Sequence, residues 1–76
     1  MKDLLNEKIL VFCMNYFYYG KLLQISEDHI TLTDCYQVFE TGSYKDHKFK
    51  DAQFICPQWN IMLSSIESFG ISPKHP

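Results

Sequence analysis

Short blocks of apolar, β-branched and aromatic residues recur along the chain, and polar residues or glycines separate them. The block Lys8–Met14 is apolar almost throughout, which predicts a strand buried on both faces. The block His29–Glu40 begins with clean alternation, in which Ile30 and Leu32 point one way and the polar residues between them point the other. The pattern therefore favours β-strands over helices.

Five strands are predicted in all. Gly20 lies inside the second of them, and a glycine within a strand usually marks a sharp bend or a close approach of two backbones. Tight polar turns at Glu27-Asp28 and Ser64-Ser65 separate neighbouring strands, and Thr41-Gly42-Ser43 ends the third. The predicted strands are Lys8–Met14, Tyr18–Ser26, His29–Glu40, Trp59–Leu63 and Ile66–Ile71.

The remaining segments are predicted to lack strands. Residues 1–7 are expected to form a short helical turn, and residues 44–58 a polar loop that Phe54 and Ile55 attach to the core. Pro57 argues against a central strand there, because proline cannot donate a ladder hydrogen bond. Residues 71–76 are expected to form a frayed tail.

These elements predict one all-β domain over residues 1–76, a small, strongly bent five-stranded open barrel with a short N-terminal helical turn. The fourth and fifth strands would leave unpaired edges, which tend to pair with another chain. Head-to-tail pairing that closes by rotation gives a ring. The expected subunit interface consists of Trp59, Ile61, Leu63, Ile66 and Phe69.

Composition supports a partner subunit. A chain of 76 residues has only a small core, and natural domains of this size usually gain stability from disulfides, a metal or another subunit. Hydrophobic residues make up 46% of the chain and aromatic residues 16%, so part of the apolar surface is expected to lie in an interface.

The three cysteines, Cys13, Cys35 and Cys56, are widely spaced and lack a CxxC pair. Together with the absence of a signal peptide, this spacing predicts free thiols in a reducing, cytoplasmic compartment. A zinc site formed by these thiols with His29 or His47 is the alternative to their being small buried hydrophobic residues, which the spacing favours. No apolar run is long enough to span a bilayer. No cofactor is expected.

The net charge and the motifs limit the classes of function that are expected for this chain. The net charge is −2 and all seven basic residues are lysine, so the arginine that usually contacts phosphates and guanines is missing. No nucleophile–base pair, glycine-rich phosphate loop or metal-ligand spacing is present, and the chain is therefore predicted not to be an enzyme.

The segment GKLLQISEDHITLTD has a glycine opening a bent strand, a polar turn, and then apolar residues at alternate positions. It resembles the first motif of Sm-like proteins of the LSm and Hfq type, and NIMLSSIESFGI resembles their shorter second motif. With KILVF near the start, the pattern is similar to that of small Sm-like proteins of bacteria and phages over nearly the whole chain. The resemblance implies an SH3-like (Sm-like) barrel and a homo-oligomeric ring, expected to range from a pentamer to a heptamer.

The resemblance also implies RNA contacts at two turns. Sm-like proteins hold RNA bases with an Asp and an Asn between strands two and three, where this chain has Ser26, Asp28 and His29. They use Arg-Gly between strands four and five, where this chain has Ser64-Ser65, and the Lys-His pair of Hfq has no counterpart. An RNA-binding pore of this type would therefore be non-standard.

A second candidate RNA contact is the segment Tyr44–Lys50, in which three lysines and a histidine alternate with aromatic residues. Such side chains can contact phosphates and stack on bases, and the alternative is a solvated loop. Its candidate residues are Tyr44, Lys45, His47, Lys48 and Lys50. The aromatic run Tyr16–Tyr19 predicts barrel core and interface, with a platform for bases or peptides as the alternative.

Two functions of different class remain open. The first is a ring that binds single-stranded RNA. The second is a scaffold or adaptor ring that binds a protein partner, which the negative charge and the missing RNA-contact residues favour. The stretch Glu27–Glu40 carries four acidic residues and no lysine, and a ring would repeat this charge in one zone.

Overall fold

Five β-strands form one antiparallel sheet in the computed structural model, which describes residues Met1–Pro76. The strands are β1 (Lys8–Cys13), β2 (Phe17–Ile25), β3 (His29–Glu40), β4 (Asp51–Met62) and β5 (Ile66–Ile71). Their order in the sheet is β4-β3-β2-β1-β5. The predicted all-β class, the number of strands and the N-terminal helical turn, at Lys2–Leu4, are confirmed. The helical elements are 3-10 turns of three residues, and no helix can cross a membrane.

The sheet is irregular where it crosses Gly20. A Cβ at this position would lie 3.0 Å from both the Leu32 Cβ and the Thr33 carbonyl oxygen, which is closer than ordinary van der Waals contact, so glycine suits the close approach of β2 and β3. The pairing register shifts between Tyr19 and Lys21, as at a β-bulge. The predicted close approach at Gly20 is confirmed.

The sheet buries residues on both of its faces. Ile9 and Val11 lie in the interior core, which also contains Cys13, Leu22, Ile30, Leu32, Cys35 and Ile61. Leu10, between them on β1, lies in a second cluster with Tyr19, Val38 and Phe49. Because successive strand residues point to opposite faces, the second cluster covers the outer face of the sheet. The expectation that β1 is buried on both faces is confirmed.

Strands β4 and β5 are the two edges of the sheet, as predicted. Strand β4 pairs only with β3, and β5 pairs only with β1. The sheet is therefore open, and each edge leaves backbone donors and acceptors free to pair with another chain.

The prediction of a loop up to Gln58 is wrong, because residues 51–58 belong to β4 and pair with β3. Pro57 is tolerated because β4 is an edge strand. It lies across from Asp34, whose φ of +50° interrupts the regular strand at the same level. Ile55 packs against the core as expected, but Phe54 is exposed.

The prediction of a frayed tail is wrong for residues 72–75. The Lys74 side chain is buried, and its Nζ donates to the carbonyl oxygens of Thr41, at 2.7 Å, and Ser43, at 2.5 Å. The backbone of His75 donates to the His47 carbonyl oxygen and accepts from the Phe49 amide. These bonds fasten the tail to the loop between β3 and β4.

Candidate functional site

The two turns implicated by the resemblance lie beside each other. The turn between β2 and β3 meets the 3-10 turn Leu63–Ser65, because the Leu63 amide donates to the Asp28 carbonyl oxygen at 2.9 Å. His29 also pairs with Met62 across the β3–β4 ladder. The predicted site residues brought to this end of the molecule are Ser26, Asp28, His29, Ser64 and Ser65.

Asp28 and His29 form a pair within this group. The His29 Nδ1 lies 2.7 Å from the Asp28 Oδ1, and the carboxylate is exposed. The hydrogen bond from His29 lowers the pKa of Asp28 below its usual value. The hydrogen bond to Asp28 therefore restricts the orientation of the imidazole, which is partly exposed.

Fewer side chains of the loop Tyr44–Lys50 are free to contact a ligand than the sequence indicates. Tyr44 is fully exposed and Lys45 and Lys48 are exposed, but Phe49 is buried in the outer cluster and anchors the loop. The Lys50 Nζ lies 3.5 Å from the Glu40 Oε1, so its charge is partly balanced. Tyr44 is therefore the one aromatic side chain of this loop that is free to stack.

The structure does not bring the two candidate sites together within one chain. The β2–β3 turn precedes the first residue of β3, whereas the loop Tyr44–Lys50 follows its last residue, Glu40. Each group would have to contact a ligand separately, or a ring would have to align the sites of different copies.

The predicted interface residues divide into three groups. Trp59 and Phe69 are exposed on the two edge strands. Leu63 and Ile66 are half-buried and pack against the chain's own core. Ile61 is only 4% exposed within that core, so it cannot contact a partner directly.

The aromatic run Tyr16–Tyr19 is mostly core. Tyr19 is buried in the outer cluster, and Phe17 stacks on Phe12 with ring centroids 4.4 Å apart. Tyr18 is half-buried against the interior core, and burial raises its pKa. Tyr16 alone is exposed.

An open groove of about 520 Å³ lies where Tyr16 and Tyr18 approach the end of β4. Trp59, Ser64 and Ser65 line it together with the two tyrosines. The convergence of Tyr16 with Ser64-Ser65 escaped the sequence reasoning, since these residues are about fifty positions apart and only the folded sheet brings them together.

The cysteines do not form a metal centre. Cys13 and Cys35 are buried, as expected, and burial raises the pKa of Cys35 to about 12. Cys56 is half-buried rather than buried. No group of three or more His, Cys, Asp or Glu side chains is placed so that it could hold a metal ion.

No protein-family model matches this chain, and the search of curated proteins finds no match either.

Proposed function

We propose that this chain is a non-enzymatic, Sm-like binding module that assembles into a homo-oligomeric ring and binds single-stranded RNA. Copies would join head-to-tail, with β4 of one copy pairing with β5 of the next. The observation that carries the proposal is the pair of unpaired edge strands, both of which expose large apolar side chains.

The two edges have the composition of an interface. Strand β4 exposes Trp59 and Met62, and β5 exposes Phe69 and Ile71. An exposed apolar edge strand invites pairing with another chain, and a small domain gains stability by burying it. Because the two edges are different surfaces, their pairing is head-to-tail and closes only by rotation.

RNA as the ligand rests on the resemblance to Sm-like proteins and on two features of the fold. The β2–β3 turn and Ser64-Ser65 lie side by side, as two turns that share one ligand must. The loop Tyr44–Lys50 adds an exposed aromatic ring beside Lys45 and Lys48. A few lysines supply little affinity, but a ring would repeat them in every copy and so increase the avidity.

Fluorescence anisotropy with labelled oligouridine at several salt concentrations tests the RNA proposal. The variant Lys45→Gln/Lys48→Gln/Lys50→Gln is expected to bind more weakly and with a smaller dependence on salt, since each lost phosphate contact lowers the slope by about 0.7 for a single strand. Lys2→Gln, at an exposed lysine outside the loop, is the control. Absence of RNA binding at low salt would overturn the proposal, whereas binding unaffected by the triple change would exclude the loop.

The second candidate is a scaffold ring that binds a protein. The observation that favours it is the acidic β2–β3 turn, where Glu27 and Asp28 are exposed and no lysine is near in sequence. A ring would gather this charge into one zone that repels RNA and attracts a basic polypeptide. A specific basic partner in pull-downs from cell lysate, together with absence of nucleic acid at moderate salt, would select this function.

A further inference from the structure

A second groove, of about 510 Å³, crosses the outer face of the sheet, and none of the predicted RNA-contact residues lines it. Its volume is within the range of small-molecule sites. It is lined by Lys8, Tyr19, Gly20, Lys21, Thr33, Asp34, Tyr36, Phe54, His75 and Pro76. Residues from β1, β2, β3, β4 and the tail therefore meet in one concave surface.

Two lysines face each other in this groove. Lys8 on β1 and Lys21 on β2 are direct partners in the antiparallel register, which places their side chains on the same face. Like charges in this relation destabilise a sheet, and neither lysine forms an ion pair within the chain. An anion held between the two ammonium groups would remove the repulsion, and His75 adds a further donor beside them.

One end of the groove is aromatic. Rings pack edge-to-face from Phe49 to Tyr19 to Tyr36 to Phe54, with successive centroids 5.5, 6.0 and 5.4 Å apart. The series begins at a buried ring and ends at Phe54, which is 47% exposed. Edge-to-face packing holds Phe54 at the open end of this series, and its exposed ring is one on which a nucleobase can stack.

We propose that this groove binds one nucleotide unit, with a phosphate between Lys8 and Lys21 and the base against Tyr36 and Phe54. Single-stranded RNA is the source of that unit, so the ligand class rests on the proposed function, while the arrangement of charges and rings is independent of it. Asp34, the one acidic side chain that lines the groove, forms no ion pair with the lysines and would accept hydrogen bonds from a base or ribose.

Backbone-amide chemical shifts in ¹H–¹⁵N NMR spectra test the site, with adenosine 5′-monophosphate as the probe. Saturable shifts are expected at Lys21, Thr33 and Tyr36. Adenosine and inorganic phosphate, each lacking half of the ligand, should both bind more weakly. Equal binding of inorganic phosphate and the nucleotide, or shifts confined to residues outside the groove, would overturn the proposal.

Matched variants separate the contribution of the lysine charges to nucleotide binding from that of stacking on Phe54. Lys8→Gln/Lys21→Gln should abolish the preference for the nucleotide over adenosine, and Lys8→Arg/Lys21→Arg should retain it. Phe54→Ala should weaken oligouridine binding by roughly five- to a hundredfold, the range found for loss of one base stack. Phe39→Ala is the control, because Phe39 is 51% exposed on β3 but lies outside the groove.

The two proposals fail in distinguishable ways. RNA binding that depends on Lys45, Lys48 and Lys50 but ignores Lys8→Gln/Lys21→Gln would overturn this groove and leave the proposed function standing. Nucleotide binding in the groove without binding of longer RNA would support the groove and overturn the proposed function.

Discussion

Gly20 is the glycine whose absent side chain allows the closest approach of two strands. Its missing side chain lets β2 lie against Leu32 and the Thr33 carbonyl group, at the position where the register shifts. A β-bulge of this kind bends its strand and changes the direction of the side chains that follow it. Adding one methyl group at Gly20 should therefore lower the free energy of unfolding more than adding one at Gly70.

Gly20→Ala is expected to lower the free energy of unfolding by about 1–3 kcal/mol, because the new Cβ meets backbone that cannot move freely. Gly70→Ala is the control, since nothing lies within 4 Å of a Cβ there. Urea unfolding followed by circular dichroism measures both. Equal stability of the two variants would show that Gly20 is not a required close approach.

The buried thiol of Cys35 makes the stability of the fold depend on pH, and this stability falls as the pH rises. Burial raises its pKa from the ordinary 9.0 to about 12, so the folded chain keeps the thiol protonated where an unfolded chain releases the proton. Stability from this group is complete below pH 9 and is expected to decline between about pH 9 and pH 12. Urea midpoints of the wild type and of Cys35→Ala over this range measure it, and parallel pH profiles would contradict the burial of the thiol.

At the scale of elements, the sequence predicts a strand well where its side chains alternate or are apolar throughout. Strands β1, β2, β3 and β5 lie within one residue of their predicted bounds. The first eight residues of β4 are not predicted as a strand, because their apolar residues do not alternate regularly with polar ones, most of them are exposed on an edge and Pro57 lies among them. The hydrophobic pattern does not show that pairing with β3 continues through this segment, in which Ile55 and Ala52 each pack against one of the two core clusters.

The candidate site, like β4, could be predicted from the sequence only in part. Turns and exposed lysines can be recognised in sequence, but pairings across the sheet cannot. Lys8 and Lys21 become neighbours only through the β1–β2 register, and Tyr36 meets Phe54 only through the β3–β4 register. Phe49, by contrast, is an aromatic residue of the loop by sequence, but it is buried in the outer cluster and cannot stack on a base.

The tail acts as a strap on the loop between β3 and β4, through the two hydrogen bonds of Lys74. Lys74→Met removes both hydrogen bonds, and each bond from a charged donor stabilises the fold by at most about 1.5–3 kcal/mol. The change should also speed hydrogen exchange at the Phe49 amide, which donates to the tail. Lys45→Met, at an exposed lysine of the same loop, is the control. Unchanged exchange at Phe49 would show that the loop is ordered without the strap.

At the scale of the whole molecule, the proposed ring depends on the apolar residues of the two edges. Phe69→Lys places a charge on β5 and is expected to disrupt the ring while leaving the fold intact, because Phe69 is already 44% exposed. Leu23→Lys is the control, since Leu23 is 42% exposed but lies on the central strand β2. Sedimentation velocity compares the two, and equal loss of assembly in both would exclude the edge as the specific interface.

Native mass spectrometry of the freshly purified protein at low salt, with absorbance read at 260 and 280 nm, tests the ring most directly. We predict one dominant species between a pentamer and a heptamer, and bound nucleotide would add support for RNA as its ligand. A ring free of nucleic acid would favour the protein scaffold. A monomer at micromolar concentration would contradict the account, because the free edges of β4 and β5 would then have no partner.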